Sequence, residues 1–181
     1  EPSPEGDSDE FAYSGSVVRA AIVFEGMIAL GAYVLGDIVE RPPGERIVWH
    51  VGDALWGLVA AAPMLLALTL LMRLPIAAIE RLRDFSREFL IPMFRGATWP
   101  QLILISALAG LGEEMLFRGL IQHGLMDAIG GTEGILAGLA IGSITFGLAH
   151  AATRTYAIVA GLVGLYLGGV FLMSGNLLVP I

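Results

Sequence analysis

The chain has 181 residues, 56% of them hydrophobic, with a mean hydropathy of +0.77, a net charge of −7 and no cysteine. Soluble domains run about 45–50% apolar even with glycine counted, so an ordinary soluble domain is excluded. The missing cysteine excludes disulfides and thiolate chemistry, and the absence of a basic patch interleaved with aromatics argues against nucleic acid as a partner.

In chain order, residues 1–14 open with the acidic, proline-bearing EPSPEGDSDE. Such a stretch cannot bury a core and is expected to be a disordered tail. Residues 15–181 are expected to form one membrane domain, an all-α, multi-pass transmembrane bundle of five segments plus the start of a sixth. The segments run over about 16–35, 54–72, 99–129, 133–150 and 156–173, each near or above the ~20 residues that cross a bilayer. The sixth is expected to begin in the final GNLLVPI.

All ten basic residues are Arg, and five of them (Arg73, Arg81, Arg83, Arg87 and Arg95) lie in the connection after the second segment. The positive-inside rule puts that connection, and with it the N-terminus, in the cytoplasm. The connection itself has apolar and basic residues at helical spacing, suited either to lying on the membrane surface or to a solvated connector helix. Gly130-Gly131-Thr132 is a strong breaker and turns the third segment into the fourth on the opposite side.

The third segment carries GEEMLFRG, Gly112 to Gly119, inside an otherwise apolar run. On an α-helix, Glu114 and Arg118 stand four apart on one face, acid before base, and form an ion pair. Glu113 points about 100° away and is left over. An unpaired charge at the middle of a membrane helix costs upward of ~2.5–3.5 kcal/mol and marks function by default.

The fourth segment ends in FGLAH. Glu113 is 17 positions before Gly130, and His150 is 17 positions after Glu133. In an antiparallel hairpin each lies roughly 25 Å from the turn, so the two side chains are expected to be level in the cytoplasmic half. Phe146 precedes His150 by one turn and is expected to pack on its ring. In a dry cleft a carboxylate can take a proton from water, and an imidazole can hold that water or protonate a leaving amine. Zinc is the other option, with Glu113 and His150 as its ligands. A catalytic zinc wants three protein ligands, and His50, His123 and His150 are not at helical ligand spacing. Glu25 in the first segment is expected to face the bundle and bond another helix, and His123 to reach polar neighbours there. Tyr156 and Tyr166 read as interfacial anchors or packing, and the glycines of the last two segments as close helix contacts.

These residues resemble the CAAX-protease and bacteriocin-processing (Abi) family of intramembrane endopeptidases. Glu113, Glu114 and Arg118 match its Glu-Glu-x-x-x-Arg motif, and Phe146 and His150 its Phe-x-x-x-His motif. The resemblance covers about residues 99–181. It implies that Glu113 is the general base, that His150 helps bind the water, and that Glu114, Arg118 and Phe146 support the site. It implies hydrolysis of a peptide bond in a membrane-associated protein or peptide, of which a lipidated one is an example, with no cofactor on the glutamate mechanism and zinc as the alternative. The expected location is the bacterial plasma membrane. The family's second His, followed four residues later by Asn or Asp, has no counterpart here. On that ground the chain is expected to be a fragment, inactive by itself. The alternatives are a non-catalytic membrane scaffold or bacteriocin-immunity protein of the same fold, and a transporter in which Glu113 handles ions. A transporter needs a continuous polar path, and the fifth segment has almost no polar side chains.

Overall fold

A computed structural model describes residues 4–181, with side chains from residue 15 onward. The expected tail falls on residues 1–14, outside the residues whose side chains are described. The described residues are helical, with no strand among them. Helix α1 is Pro4–Ile38, α2 Val51–Leu71, α3 Ala77–Phe85, α4 Trp99–Glu113, α5 His123–Ile129, α6 Gly131–Ala149 and α7 Arg154–Ser174. Four spans among them are long and apolar enough to cross a membrane: Gly15–Ile38, Val51–Leu71, Gly131–Ala149 and Arg154–Ser174. The expected third segment is also helical throughout. However, a π-helical stretch, Glu114–Gln122, joins α4 to α5, so no single α-helix runs its length.

Local signals set the boundaries. Thr98 caps α4, with its backbone N–H and hydroxyl both donating to Gln101 Oε1, at 2.9 and 3.0 Å. Both bonds run from Thr98 to Gln101, and the first satisfies the cap residue's own N–H, as the side chain three residues on does in a capping box. Pro100 in the first turn loses nothing, because its missing N–H has no partner there. Gly130 and Gly131, at φ 75° and 59°, make the sharp reversal into α6, a conformation that L side chains rarely adopt. Thr153 Oγ1 accepts from Tyr156 N at 3.1 Å and opens α7.

The polarity of the bundle is arranged for lipid. No residue of α2 is buried, and large apolar side chains such as Leu58, Leu66, Ile144 and Leu162 face outward. The interior holds Glu114, Arg118, Gln122 and Ser143 beside a small apolar cluster of Phe117, Phe146 and Ala160. With lipid outside as apolar as leucine, helices associate through close packing and hydrogen bonds. Gly138 lets α6 lie on the Gln122 carbonyl, where a Cβ would collide with that oxygen. A Cβ on Gly147 would lie 2.7 Å from Ala157 O and 3.1 Å from Gly161 N of α7. The small-residue contacts expected of the last two segments are therefore present.

The connections segregate to two ends. At one, Arg41 Nη1 donates to Gly124 O at 2.6 Å and Leu177 N to Arg46 O at 2.9 Å. The Gly130 turn lies at this end. At the other, Phe85 of the Arg-rich connection lies 6.3 Å from the Tyr156 ring at the start of α7. The connection is helical, α3 continuing through a π turn, Ser86–Leu90, and it buries Ile79 and Leu82. Where the sixth segment was expected to begin, residues 177–180 form a turn, closed by Ile181 N donating to Leu177 O at 3.2 Å. Asn176 organises it: its Nδ2 donates to Val48 O and Asp53 Oδ2, and its Oδ1 accepts from Val48 N and Leu178 N. Pro180, which has no N–H to donate, follows.

Candidate active site

The end of α4 and the end of α6 bring two polar groups together. Glu113 Oε1 lies 3.4 Å from His150 Nε2, and the two side chains are 21% and 24% exposed. The equal distances along the hairpin give them the same height. Rotation is set by what surrounds them. His150 caps α6 at φ −101°, ψ 21°, and its Nδ1 lies 2.9 Å from Phe146 O. With Nδ1–H donating there, Nε2 is turned to Glu113. The Phe146 ring lies 4.5 Å from the imidazole at 32°, and Tyr156 stands edge-on to it at 5.9 Å. The imidazole is thus held by one hydrogen bond and two rings.

Beneath this pair sits the second carboxylate. Glu114 and Arg118 are 2% and 1% exposed, with Arg118 Nη1 2.7 Å from Glu114 Oε1. Arg118 Nη2 donates to Gly164 O on α7 at 3.1 Å, and its Cζ lies 4.5 Å over the Phe146 ring. A cation over an aromatic face is attracted by the ring quadrupole. Arg118 therefore links Glu114, α7 and the ring that packs on His150. Its hydrogen bonds go to Glu114 and Gly164, and Glu113 faces the imidazole instead. Phe117 meets the other side of Phe146 edge-on at 5.0 Å.

The backbone here is not the α-helix that the spacing suggested. Glu114 to Gln122 is π-helical, a wider coil that appears mostly as short insertions, frequently at functional sites. Glu114, Arg118 and Gln122, four apart, all turn inward. Gln122 was not singled out by the sequence, yet it is 1% exposed and its Nε2 donates to Gly168 O at 3.1 Å. Arg118 and Gln122 thus hold two carbonyls one turn apart on α7. The signal available was a polar residue eight positions after Glu114.

The other polar residues distribute as follows. Glu25 of α1 is only part-buried, but its Oε2 is fully enclosed without a hydrogen-bond partner. It interacts electrostatically with both Glu113 and His150. The bond expected from that oxygen to another helix is therefore not made. His123 lies at the opposite end, 3.1 Å from Asp127 and beside Phe171. It lines a polar cleft of about 430 Å³ with Glu40, Arg41, Glu45 and Arg46. His50 caps α2, accepting from Gly52 N. Tyr166 donates to Ala60 O at 2.7 Å, tying α7 to α2.

A zinc ion fits this donor set poorly. Glu113 and His150 supply two ligands, and no group of three His, Cys, Asp or Glu converges among the described residues. A catalytic zinc normally has three protein ligands and an open position.

Residues 95–181, which hold both motifs, match the family model described as Type II CAAX prenyl endopeptidase Rce1-like. The similarity to that CAAX-protease family spans just under half of the chain, and together with the four apolar spans it supports an integral membrane protein. No curated protein and no solved structure matches the chain.

Proposed function

We propose that this protein is an intramembrane endopeptidase in which Glu113 activates a water molecule and His150 holds it for attack on a peptide carbonyl. The observation that carries this reading is the 3.4 Å approach of Glu113 Oε1 to His150 Nε2, with Nδ1 anchored on Phe146 O. With Nδ1–H on Phe146 O, an Nε2–H directed at the site requires the imidazolium form, in which both ring nitrogens donate, paired with the Glu113 carboxylate. A general base must lie within direct or one-water reach of the proton it takes, and this pair brackets a water site.

The steps balance. Glu113 accepts one proton as the water oxygen bonds to the substrate carbonyl carbon, and the carbonyl π pair moves to its oxygen. The tetrahedral intermediate collapses, the C–N bond breaks, and the Glu113 proton passes to the departing amine. His150 Nε2–H donates to the water oxygen and afterwards to the oxygen it becomes. The buried Glu114–Arg118 pair touches no reacting atom. It fixes Phe146 and through it the imidazole.

The substrate on this reading is a membrane-associated protein or peptide, with a prenylated C-terminal peptide the first to test, since that is the activity in the family's description. The cleft lies at the end of the Arg-rich connection, which the positive-inside rule assigns to the cytoplasm. A bacterial plasma membrane with the N-terminus inside is the proposed setting. The test uses the full-length protein in lipid vesicles with two internally quenched peptides, identical but for a farnesyl group on cysteine. Cleavage of the farnesylated peptide by the wild type, lost in Glu113→Ala, is expected. Equal cleavage by Glu113→Ala would remove Glu113 from the catalytic role, and no cleavage of either peptide by the wild type would return the protein to the scaffold reading.

A further inference from the structure

Glu25 is the titratable group beside the site that the mechanism above leaves unused. It stands on α1, and its position follows from one close helix contact. Gly112, the residue before Glu113, lies against Ala29: a Cβ there would fall 2.8 Å from Ala29 N. Glu25 is four residues before Ala29 and therefore on the same face. Its carboxylate interacts electrostatically with Glu113 on α4 and with His150 at the end of α6, and its Oε2 is enclosed without a partner.

A donor census narrows what can satisfy that oxygen. Ionised Glu113 accepts and has nothing to donate. His150 Nδ1 is engaged by Phe146 O, and Nε2 faces Glu113. Neither neighbour has a donor to spare for Glu25. A buried acceptor without a protein partner is normally met by water, which typically makes about three hydrogen bonds. One water supplies what these three groups lack. It gives one hydrogen to Glu113, the other to Glu25, and offers its lone pair to His150 Nε2–H.

We propose that Glu25 is a positioning residue for hydrolysis: its Oε2 accepts the second hydrogen of the water held by Glu113 and His150. This rests on the reading of that pair given above. With one hydrogen on each carboxylate and a lone pair on Nε2–H, the remaining lone pair of the water is aimed at the substrate carbonyl. Glu25 takes no proton and forms no bond to the substrate.

The test compares Glu25→Gln and Glu25→Asp with the wild type and Glu113→Ala, as full-length protein in vesicles, on the farnesylated quenched peptide. A hydrogen bond to a charged group is worth about 1.5–3 kcal/mol, a loss of about 10- to 100-fold when converted at 1.4 kcal/mol per tenfold. Glu25→Gln, whose neutral amide oxygen is the weaker acceptor, is expected to lower kcat by up to that factor with KM within about twofold, and Glu25→Asp, which keeps the charged acceptor, to fall between Gln and wild type. Unchanged kcat in Glu25→Gln overturns the proposal, as does an equal loss in Gln and Asp. An experimental structure of the wild type decides independently of any variant's folding. An ordered water within 3.5 Å of Glu25 Oε2, Glu113 and His150 Nε2 is expected, and Glu25 Oε2 without that water contradicts the proposal. Activity surviving in Glu113→Ala would instead defeat the reading of the site itself, while the water at Glu25 would still be decided by the structure.

Discussion

Replacing Arg118 with Met tests whether the buried ion pair holds the site together. The guanidinium is 1% exposed, and it neutralises a carboxylate that is 2% exposed through a 2.7 Å contact. It also donates to Gly164 O. Met keeps most of the volume and removes the charge. Glu114 is then left as an uncompensated buried carboxylate, and removing one partner of a buried pair costs about 3–5 kcal/mol. That agrees with the ~2.5–3.5 kcal/mol assigned to a lone charge at the centre of a membrane helix. The double replacement Glu114→Gln with Arg118→Met removes both charges and is expected to recover at least half of that loss, since a well-packed neutral pair is often no worse than an ionic one. The assay is reversible unfolding in mixed micelles with increasing denaturing detergent, read by tryptophan fluorescence. A loss under 1 kcal/mol in Arg118→Met, or no recovery in the double variant, refutes the argument.

Three further outcomes follow from other contacts. His150→Ala is expected to lower peptide cleavage by about 10²–10⁴-fold, the range of a lost acid–base or water-holding group, while changing unfolding free energy by less than about 1 kcal/mol, because the ring is a quarter exposed. Gln122→Leu strips the donor from Gly168 O and is expected to cost about 1–3 kcal/mol in the same unfolding assay. Gly138→Val places a side chain against the Gln122 carbonyl and Met126 Cγ, and overpacking of this kind costs about 1–3 kcal/mol; a crosslinking measurement between α5 and α6 is expected to show the helices pushed apart.

The fold was largely legible because each segment obeys a strong constraint. A helix must satisfy its own backbone in lipid, so long apolar runs bounded by Pro, Gly or Arg could only be read as spans. The height of Glu113 and His150 was legible for the same reason, since two helical segments of equal length joined by a two-glycine turn make height a matter of counting. Rotation was not. It depends on the π-helical stretch from Glu114 to Gln122, which no residue pattern announces, and on the Phe146 carbonyl and ring that orient His150. Gln122 escaped notice because its partner, the Gly168 carbonyl, is 46 residues away on another helix. Glu25 was visible as a charge in an apolar run. Its approach to the Glu113 end depends on the close contact of Gly112 with Ala29, a long-range contact that sequence spacing does not encode. How the turn after Ser174 is anchored was not legible, because its order comes from Asn176 bonding to Val48 and Asp53 far back in the chain.

The central claim is that Glu113 draws a proton from water that attacks the peptide carbonyl directly. Single-turnover cleavage of the farnesylated peptide by the full-length protein in H₂¹⁸O tests it, with wild type and Glu113→Gln run side by side. One ¹⁸O in the new carboxylate for the wild type, and a rate at least about 10²-fold lower for Glu113→Gln, is the predicted result. Glu113→Gln turning over at the wild-type rate would contradict the account.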